Sequence, residues 1–104
     1  MNLLDLLTKF LKSLRQVANY KIKISSTAEK ALKKIPKKDL IKIIEAIQVL
    51  AINPFPEGCR KLAGEEGTYR IRQGTYRIIY EVEGKNLKVL ILKIGHRKDI
   101  YRNV

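Results

Sequence analysis

The sequence has almost none of the side chains that build metal sites and disulfides. It contains one cysteine, Cys59, and one histidine, His96. A single cysteine cannot form an internal disulfide, and no Cys or His pair has the spacing of a zinc site. The sequence therefore predicts no zinc site, and the absence of a disulfide framework favours a reducing, cytoplasmic environment.

Long apolar runs are also missing. No stretch reaches the roughly 18 apolar residues of a membrane span. The opening MNLLDLLTKFLKSLRQVA is interrupted by Asp5 and by basic residues, which a signal peptide would lack. Its apolar positions instead follow helical spacing, at Leu3, Leu4, Leu7, Phe10, Leu11, Leu14 and Val17. Residues 1–18 are predicted to form an amphipathic helix that is half-buried, with binding to a membrane surface as the alternative.

Acidic residues are scarce: 10 Asp and Glu stand against 22 Lys and Arg, giving a net charge of +12 over 104 residues. The length fits one domain. So much charge of one sign repels itself in the folded state, which indicates a polyanionic partner. Nucleic acid is the first candidate, followed by an anionic membrane or an acidic protein. HExxH, GxSxG, P-loop and paired-carboxylate signatures are absent, which leaves phosphate chemistry assisted by cations.

Hydrophobic periodicity predicts the α+β class. Residues 20–24 alternate as a strand, and two helices follow, the first capped by Ser26 with Glu29 and the second stopped by Asn53-Pro54. After a Pro- and Gly-rich connector, strands are predicted near 68–73, 75–82 and 87–94. The expected β-α-α-β-β-β order packs a helical hairpin on one face of a mainly antiparallel, twisted four-stranded sheet. Residues 19–104 form this domain and residues 1–18 precede it.

Arginines collect on one face of the predicted sheet. With Gln73-Gly74 as a two-residue turn, Arg70 lies opposite Arg77, and Arg72 shares their face. Like charges in cross-strand pairs destabilise a sheet, so a bound anion would offset the cost. Pairing Val82 with Leu87 in the next hairpin places four more residues on this face, namely Leu90, Leu92, Ile94 and His96. A register shift of one residue would reverse these assignments.

Arginine is also concentrated along the chain. Five of the seven arginines fall within residues 70–102, at positions 70, 72, 77, 97 and 102. A planar guanidinium grips phosphate oxygens in fixed geometry better than lysine does, so the cluster favours an anion site over packing against tyrosines. His96 and Tyr101 are the titratable candidates beside it, and neighbouring Arg97 and Arg102 should lower the pKa of Tyr101.

Three segments together resemble the RelE branch of the RelE/ParE toxin superfamily: KLAG (61–64), YRIRQGTYRIIYEV (69–82) and GHRKDIYR (95–102). The resemblance implies a toxin that enters the ribosomal A site and cuts messenger RNA by attack of a ribose 2′-hydroxyl on the adjacent phosphate. By motif, Tyr101 would be the base, Arg97 would be the acid or the leaving-group stabiliser, and Arg77 would clamp the phosphate. This implied reaction needs no metal and no cofactor. Arg70 and Arg72 would orient the backbone, and His96 ranks second to Tyr101 as the base.

The same resemblance implies partners. These are a cognate antitoxin, messenger RNA and the ribosome, whose 16S RNA would contact exposed lysines of the helices, Lys30, Lys33, Lys34, Lys37 and Lys38. The apolar residues Ile79, Leu90, Leu92 and Ile94 would receive an amphipathic antitoxin segment. The ParE branch, which inhibits DNA gyrase without cutting RNA, is the alternative, and a plain nucleic-acid-binding module is a third.

Residues 1–18 depart from the family pattern. Three interpretations of this segment remain open: a helix that forms a homodimer, a helix that covers the apolar patch with possible self-inhibition, or a mis-assigned start.

Overall fold

The computed structural model describes residues 2–14, 19–64, 66–98 and 100, and it has the expected α+β architecture. The helices are α1 (Leu3–Leu14), α2 (Ser26–Lys34) and α3 (Lys37–Ile52). The strands are β1 (Lys21–Ile24), β2 (Arg60–Lys61), β3 (Thr68–Gln73), β4 (Tyr76–Glu83) and β5 (Lys88–His96). No helix among the described residues is long and apolar enough to cross a membrane.

The sheet has five strands in the order β1-β5-β4-β3-β2, with β1 parallel to β5 and every other pair antiparallel. The predicted sheet had four. The addition is β2, which pairs Arg60 with Arg70 and Lys61 with Tyr69. A strand of two residues inside a connector is too short to show an alternating pattern, so periodicity could not reveal it.

The core lies between the sheet and the helical layer. Leu32 of α2 and Ile43, Ile47 and Leu50 of α3 pack with Ile78, Tyr80, Val89 and Ile91 of the sheet, all at most 2% exposed. Leu3 and Leu7 of α1 are half-buried against the same cluster, and α1 packs on α3. The N-terminal helix therefore lies on the helical side of the sheet, away from its other face.

Tyr80 ties the connector to the sheet. Its side chain is fully buried and its hydroxyl donates a hydrogen bond of 2.7 Å to the carbonyl of Pro54. Burial raises the pKa of Tyr80 well above its usual range, since the phenolate would lose its hydration there. This tyrosine stabilises the fold as a neutral donor.

Ser25, rather than Ser26, caps α2, and it also holds β5. The Ser25 hydroxyl accepts from the backbone N–H of Ala28 (3.0 Å) and donates to the carbonyl of Leu92 (2.8 Å). Leu92 is an extra residue in β5: Tyr80 pairs with Ile91, but Ile79 pairs with Lys93. The serine thus satisfies a carbonyl at a β-bulge.

This bulge contradicts the predicted side of the sheet for two residues, Ile94 and His96. An extra residue in one strand moves all later side chains to the opposite face. Ile94 therefore pairs with Ile78 and is 4% exposed in the core, and His96 pairs with Tyr76 on the helical side. The prediction that Ile94 and His96 share a face with the arginines is wrong.

The first hairpin also differs in register. Its turn is Gly74-Thr75, with Gly74 at φ +60, as the first turn position of a type II′ hairpin requires. Arg72 consequently lies opposite Arg77, and Arg70 lies opposite Ile79. The predicted pairing of Arg70 with Arg77 is wrong, but the shift of two positions leaves every residue of this hairpin on its expected face.

We expect Ser25→Ala to lower the free energy of unfolding by roughly 1–2 kcal/mol, because it removes both a helix cap and the donor to the bulge carbonyl. Ser26→Ala is the matched control. Ser26 is exposed, and its loss should change stability by less than about 0.5 kcal/mol. Urea unfolding followed by circular dichroism measures both variants, and equal midpoints would contradict the assigned cap.

Candidate nucleic-acid interface

The face of the sheet opposite the helices is strongly basic. By the pairing register, eight basic residues share it with two acidic ones, Glu81 and Glu83. The basic residues are Lys21 and Lys23 of β1, Arg60 of β2, Arg70 and Arg72 of β3, Arg77 of β4, and Lys88 and Lys93 of β5. This surface, the basic sheet face, attracts polyanions and weakens the sheet through self-repulsion.

Two arginines lie directly opposite each other at the end of the β3–β4 hairpin. Arg72 is exposed and lies directly opposite Arg77. The Arg77 guanidinium is held at the turn, because its Nη1 donates to the carbonyls of Tyr76 (3.0 Å) and Gly74 (3.3 Å). A positioned guanidinium beside a second one forms a site suited to phosphate oxygens.

The chain after β5 returns to this same point. Gly95 lies opposite Arg77. Ile100 packs over Gly95, since a Cβ added there would lie 3.2 Å from Ile100 Cδ1, and the Ile100 N–H donates to the carbonyl of His96 (3.0 Å). Ile100 is 1% exposed. The segment after β5 is thereby anchored beside the arginine pair; Tyr101, the predicted base, lies outside the described residues.

Arg97 approaches the hairpin from the end of β5. Its backbone N–H donates a 2.7 Å hydrogen bond to the carbonyl of Thr75 in the turn, and its side chain is exposed. The segment that carries Arg97 is therefore fixed next to the strand ends that carry Arg72 and Arg77.

His96 is separated from the arginines. Its ring packs edge-on against Tyr76 with centroids 6.0 Å apart, and its Nδ1 accepts a long hydrogen bond from the N–H of Lys98 (3.4 Å). His96 and Tyr76 both lie on the helical side of the sheet. The structure thus places His96 away from Arg70, Arg72 and Arg77.

The residues predicted to bind an antitoxin divide into two groups. Ile79 lies on the basic sheet face but is 7% exposed, and Ile94 is in the core. Leu90 and Leu92 are half-buried. The predicted apolar groove is therefore reduced to these two leucines.

The predicted lysine surface exists on the other layer of the molecule. Lys30, Lys33, Lys34, Lys37 and Lys38 are all exposed at the end of α2 and the start of α3. Lys37 and Lys38 occupy the first turn of α3, where the helix dipole disfavours cations, and Pro36 supplies no side-chain cap. A bound polyanion would relieve this unfavourable placement, as it would relieve the arginine pairing.

Sequence reasoning missed several basic residues of the basic sheet face. Lys21 and Lys23 alternate visibly in β1, but only the parallel pairing with β5 shows which face they share. Arg60 carried no signal, because its strand was undetectable. Among the described residues no group of three or more His, Cys, Asp or Glu could hold a metal ion.

Comparison with known proteins shows the family to which this chain belongs. Residues 22–101 match the family model described as the ParE toxin of the type II toxin–antitoxin system parDE. The chain belongs to the RelE/ParE toxin superfamily. The match begins at Ile22, so α1 lies outside it.

Several relatives carry RelE-type names. Toxin RelG of Mycobacterium tuberculosis is 34% identical over 84 residues, covering 80% of this chain and 97% of the relative. Putative toxin RelE1 of Methanocaldococcus jannaschii is 32% identical over 87 residues, covering 81% and 97%. The crystal structure of an archaeal RelE–RelB complex from Pyrococcus horikoshii superposes with a TM-score of 0.70 at 34% identity, covering 78% of this chain and 98% of that one. The chain is therefore a toxin of a type II toxin–antitoxin system.

We expect Arg72→Gln to raise the free energy of unfolding by roughly 0.2–1 kcal/mol, because it removes a like-charge cross-strand pair. Lys61→Gln is the control: it removes one exposed charge that lies opposite Tyr69 rather than another cation. The difference between the variants should shrink at high salt, which screens the repulsion. Urea unfolding at two salt concentrations measures it, and an Arg72→Gln protein less stable than Lys61→Gln would contradict it.

Proposed function

We propose that this toxin is a metal-independent endoribonuclease that cuts messenger RNA in the ribosomal A site. The observation that carries the proposal is the Arg72–Arg77 pair at the hairpin end, with the segment after β5 anchored beside it at Gly95 and Ile100. A phosphate held by two guanidiniums beside Ile100, the residue that precedes Tyr101 in the sequence, would have the groups that in-line cleavage needs.

The proposed reaction is a transesterification. Tyr101 takes the proton of the ribose 2′-hydroxyl, and the 2′-oxygen bonds to the adjacent phosphorus. The bond from phosphorus to the 5′-oxygen breaks and that oxygen takes a proton from water, which leaves a 2′,3′-cyclic phosphate and a 5′-hydroxyl. The hydroxide so formed takes up the proton that Tyr101 gained. Arg77 and Arg72 stabilise the charge that builds on the phosphorane oxygens, and Arg97 stabilises the leaving oxygen. Because arginine stays protonated, its role at the leaving group is electrostatic.

Tyr101 follows Ile100 directly in the sequence. Ile100 in turn packs over the strand position opposite Arg77. This continuity supports Tyr101 as the base over His96, whose ring packs on Tyr76 on the other side of the sheet.

A phenol is a weak general base at neutral pH, so the rate on free RNA should be low. The ribosome would supply the missing factor by holding the substrate with its 2′-oxygen in line. The exposed lysines at the α2–α3 turn, Lys30, Lys33, Lys34, Lys37 and Lys38, would bind ribosomal RNA, and this binding would weaken steeply as salt rises.

A cognate antitoxin is the second proposed partner. The archaeal RelE with 34% identity was solved as a complex with RelB. A protein that neutralises a toxin of charge +12 would be acidic, and half-buried Leu90 and Leu92 next to the basic sheet face offer it apolar contact.

Inhibition of DNA gyrase without RNA cleavage is the competing function, and the ParE name of the matching family model favours it. The RelE-type names of the relatives at 32–34% identity favour the nuclease. A translation extract supplied with a defined messenger, alongside a gyrase supercoiling assay, separates the two. New 5′-hydroxyl ends that depend on ribosomes support cleavage; intact messenger with arrested gyrase supports the competitor.

In the same extract, Arg77→Ala and Tyr101→Phe should each reduce the cleavage rate at least about tenfold, the usual worth of one positioned catalytic group. Lys61→Ala and Tyr20→Phe are matched controls, because both lie on the helical side of the sheet. Circular dichroism must show that all four variants fold. Full activity in both Arg77→Ala and Tyr101→Phe would show that the site is assigned wrongly.

A further inference from the structure

A cavity of about 400 Å³ lies at the edge of the sheet where β2 begins, at Arg60. Its wall includes three arginines, Arg60, Arg70 and Arg72, with one carboxylate, Glu57, and the apolar side chains of Ala46 and Val49 from α3. Within the described part of the chain, β2 pairs only with Tyr69 and Arg70, so the edge of β3 beyond Arg70 borders this cavity.

Arg60 repeats the like-charge arrangement of the hairpin end. It lies directly opposite Arg70, as Arg72 lies opposite Arg77, and all four share the basic sheet face. Adjacent strands are about 4.8 Å apart. The arginines of β4, β3 and β2 therefore form a row across three neighbouring strands, with Arg60 at its outer end.

Arg70, which lines this cavity, has a buried N–H group without a hydrogen-bond acceptor. Its Nε is buried, and no described group accepts its hydrogen. A buried N–H without an acceptor destabilises the fold, and more so when the group is charged. An anion bound in the cavity would accept from Arg70 and would relieve its repulsion from Arg60.

We propose that Arg60 and Arg70 bind a second phosphate of the RNA strand, next to the phosphate that is cut at Arg72 and Arg77. The inference rests on the proposed nuclease function and assigns Arg60 a positioning role in it. A ribose or base attached to this phosphate would pack on Ala46 and Val49. The site holds substrate equally in the ground state and the transition state, so its loss should act on binding and not on the chemical step.

Arg60→Gln tests the proposal, with Lys61→Gln as the control. The two residues are neighbours in β2, both are exposed, and they point to opposite faces. We expect Arg60→Gln to raise KM for ribosome-dependent cleavage about 3- to 10-fold with kcat unchanged. Lys61→Gln should change KM less than about twofold. Arg60→Lys, which keeps the charge but loses the planar fork, should restore KM only in part.

A binding measurement gives a readout independent of cleavage. The probe is a single-stranded 2′-O-methyl oligonucleotide, which lacks the attacking hydroxyl, titrated by fluorescence anisotropy at several salt concentrations. Loss of one phosphate contact should lower the slope of log K against log salt by about 0.7 for Arg60→Gln and leave it unchanged for Lys61→Gln. Equal unfolding midpoints of the two variants exclude a merely structural effect.

The outcomes separate the inference from the function on which it rests. If the wild-type chain cuts messenger but Arg60→Gln matches Lys61→Gln in KM and salt slope, the second phosphate site is refuted and the nuclease stands. If the wild-type chain neither cuts messenger nor binds the oligonucleotide, the nuclease proposal falls and the site falls with it. Binding with the lowered slope but without cleavage supports the site and refutes the nuclease.

Discussion

Repulsion between Arg72 and Arg77 is the unfavourable interaction that the rest of the sheet has to offset. The two arginines lie directly opposite each other on adjacent strands. Arg60 and Arg70 form a second cross-strand pair of the same kind, one strand further out. Such pairs weaken a sheet. The fold tolerates them because the other side of the same strands buries Ile71, Ile78 and Tyr80 against the helices. The helical side of the sheet stabilises the fold through its buried core, and the basic sheet face carries the charge suited to an anionic partner.

The division between the two faces depends on one serine. Ser25 caps α2 and satisfies the carbonyl of Leu92, the extra residue in β5. That bulge returns Ile94 to the core and places Gly95 opposite Arg77. Because Gly95 has no side chain, Ile100 can lie over it, beside the strand position of Arg77. A contact between residues 67 positions apart in sequence thus connects the helical layer to the candidate site.

Local pattern was enough to predict the architecture and the faces of the first hairpin. Arg70 and Arg72 alternate with Tyr69 and Ile71, so their face follows from a period of two, and even a misplaced turn preserved it. The positions of Ile94 and His96 could not be predicted, because one extra residue in β5 leaves no local signal and its carbonyl is satisfied by the distant Ser25. Arg60 could not be placed either, since a two-residue strand leaves no periodicity. Residue roles at Tyr101 and Arg97 came from resemblance and stay predictions.

The central claim is that the arginines of the basic sheet face, rather than the lysines of the helices, hold the scissile RNA. Side-chain Nε–Hε NMR signals of arginine report this directly during titration with a 2′-O-methyl oligonucleotide. We expect the signals of Arg70, Arg72 and Arg77 to shift together and to saturate at the same oligonucleotide concentration. Arg72→Gln should weaken the shift at Arg77. Unchanged arginine signals, with perturbation confined to the α2–α3 turn, would contradict it.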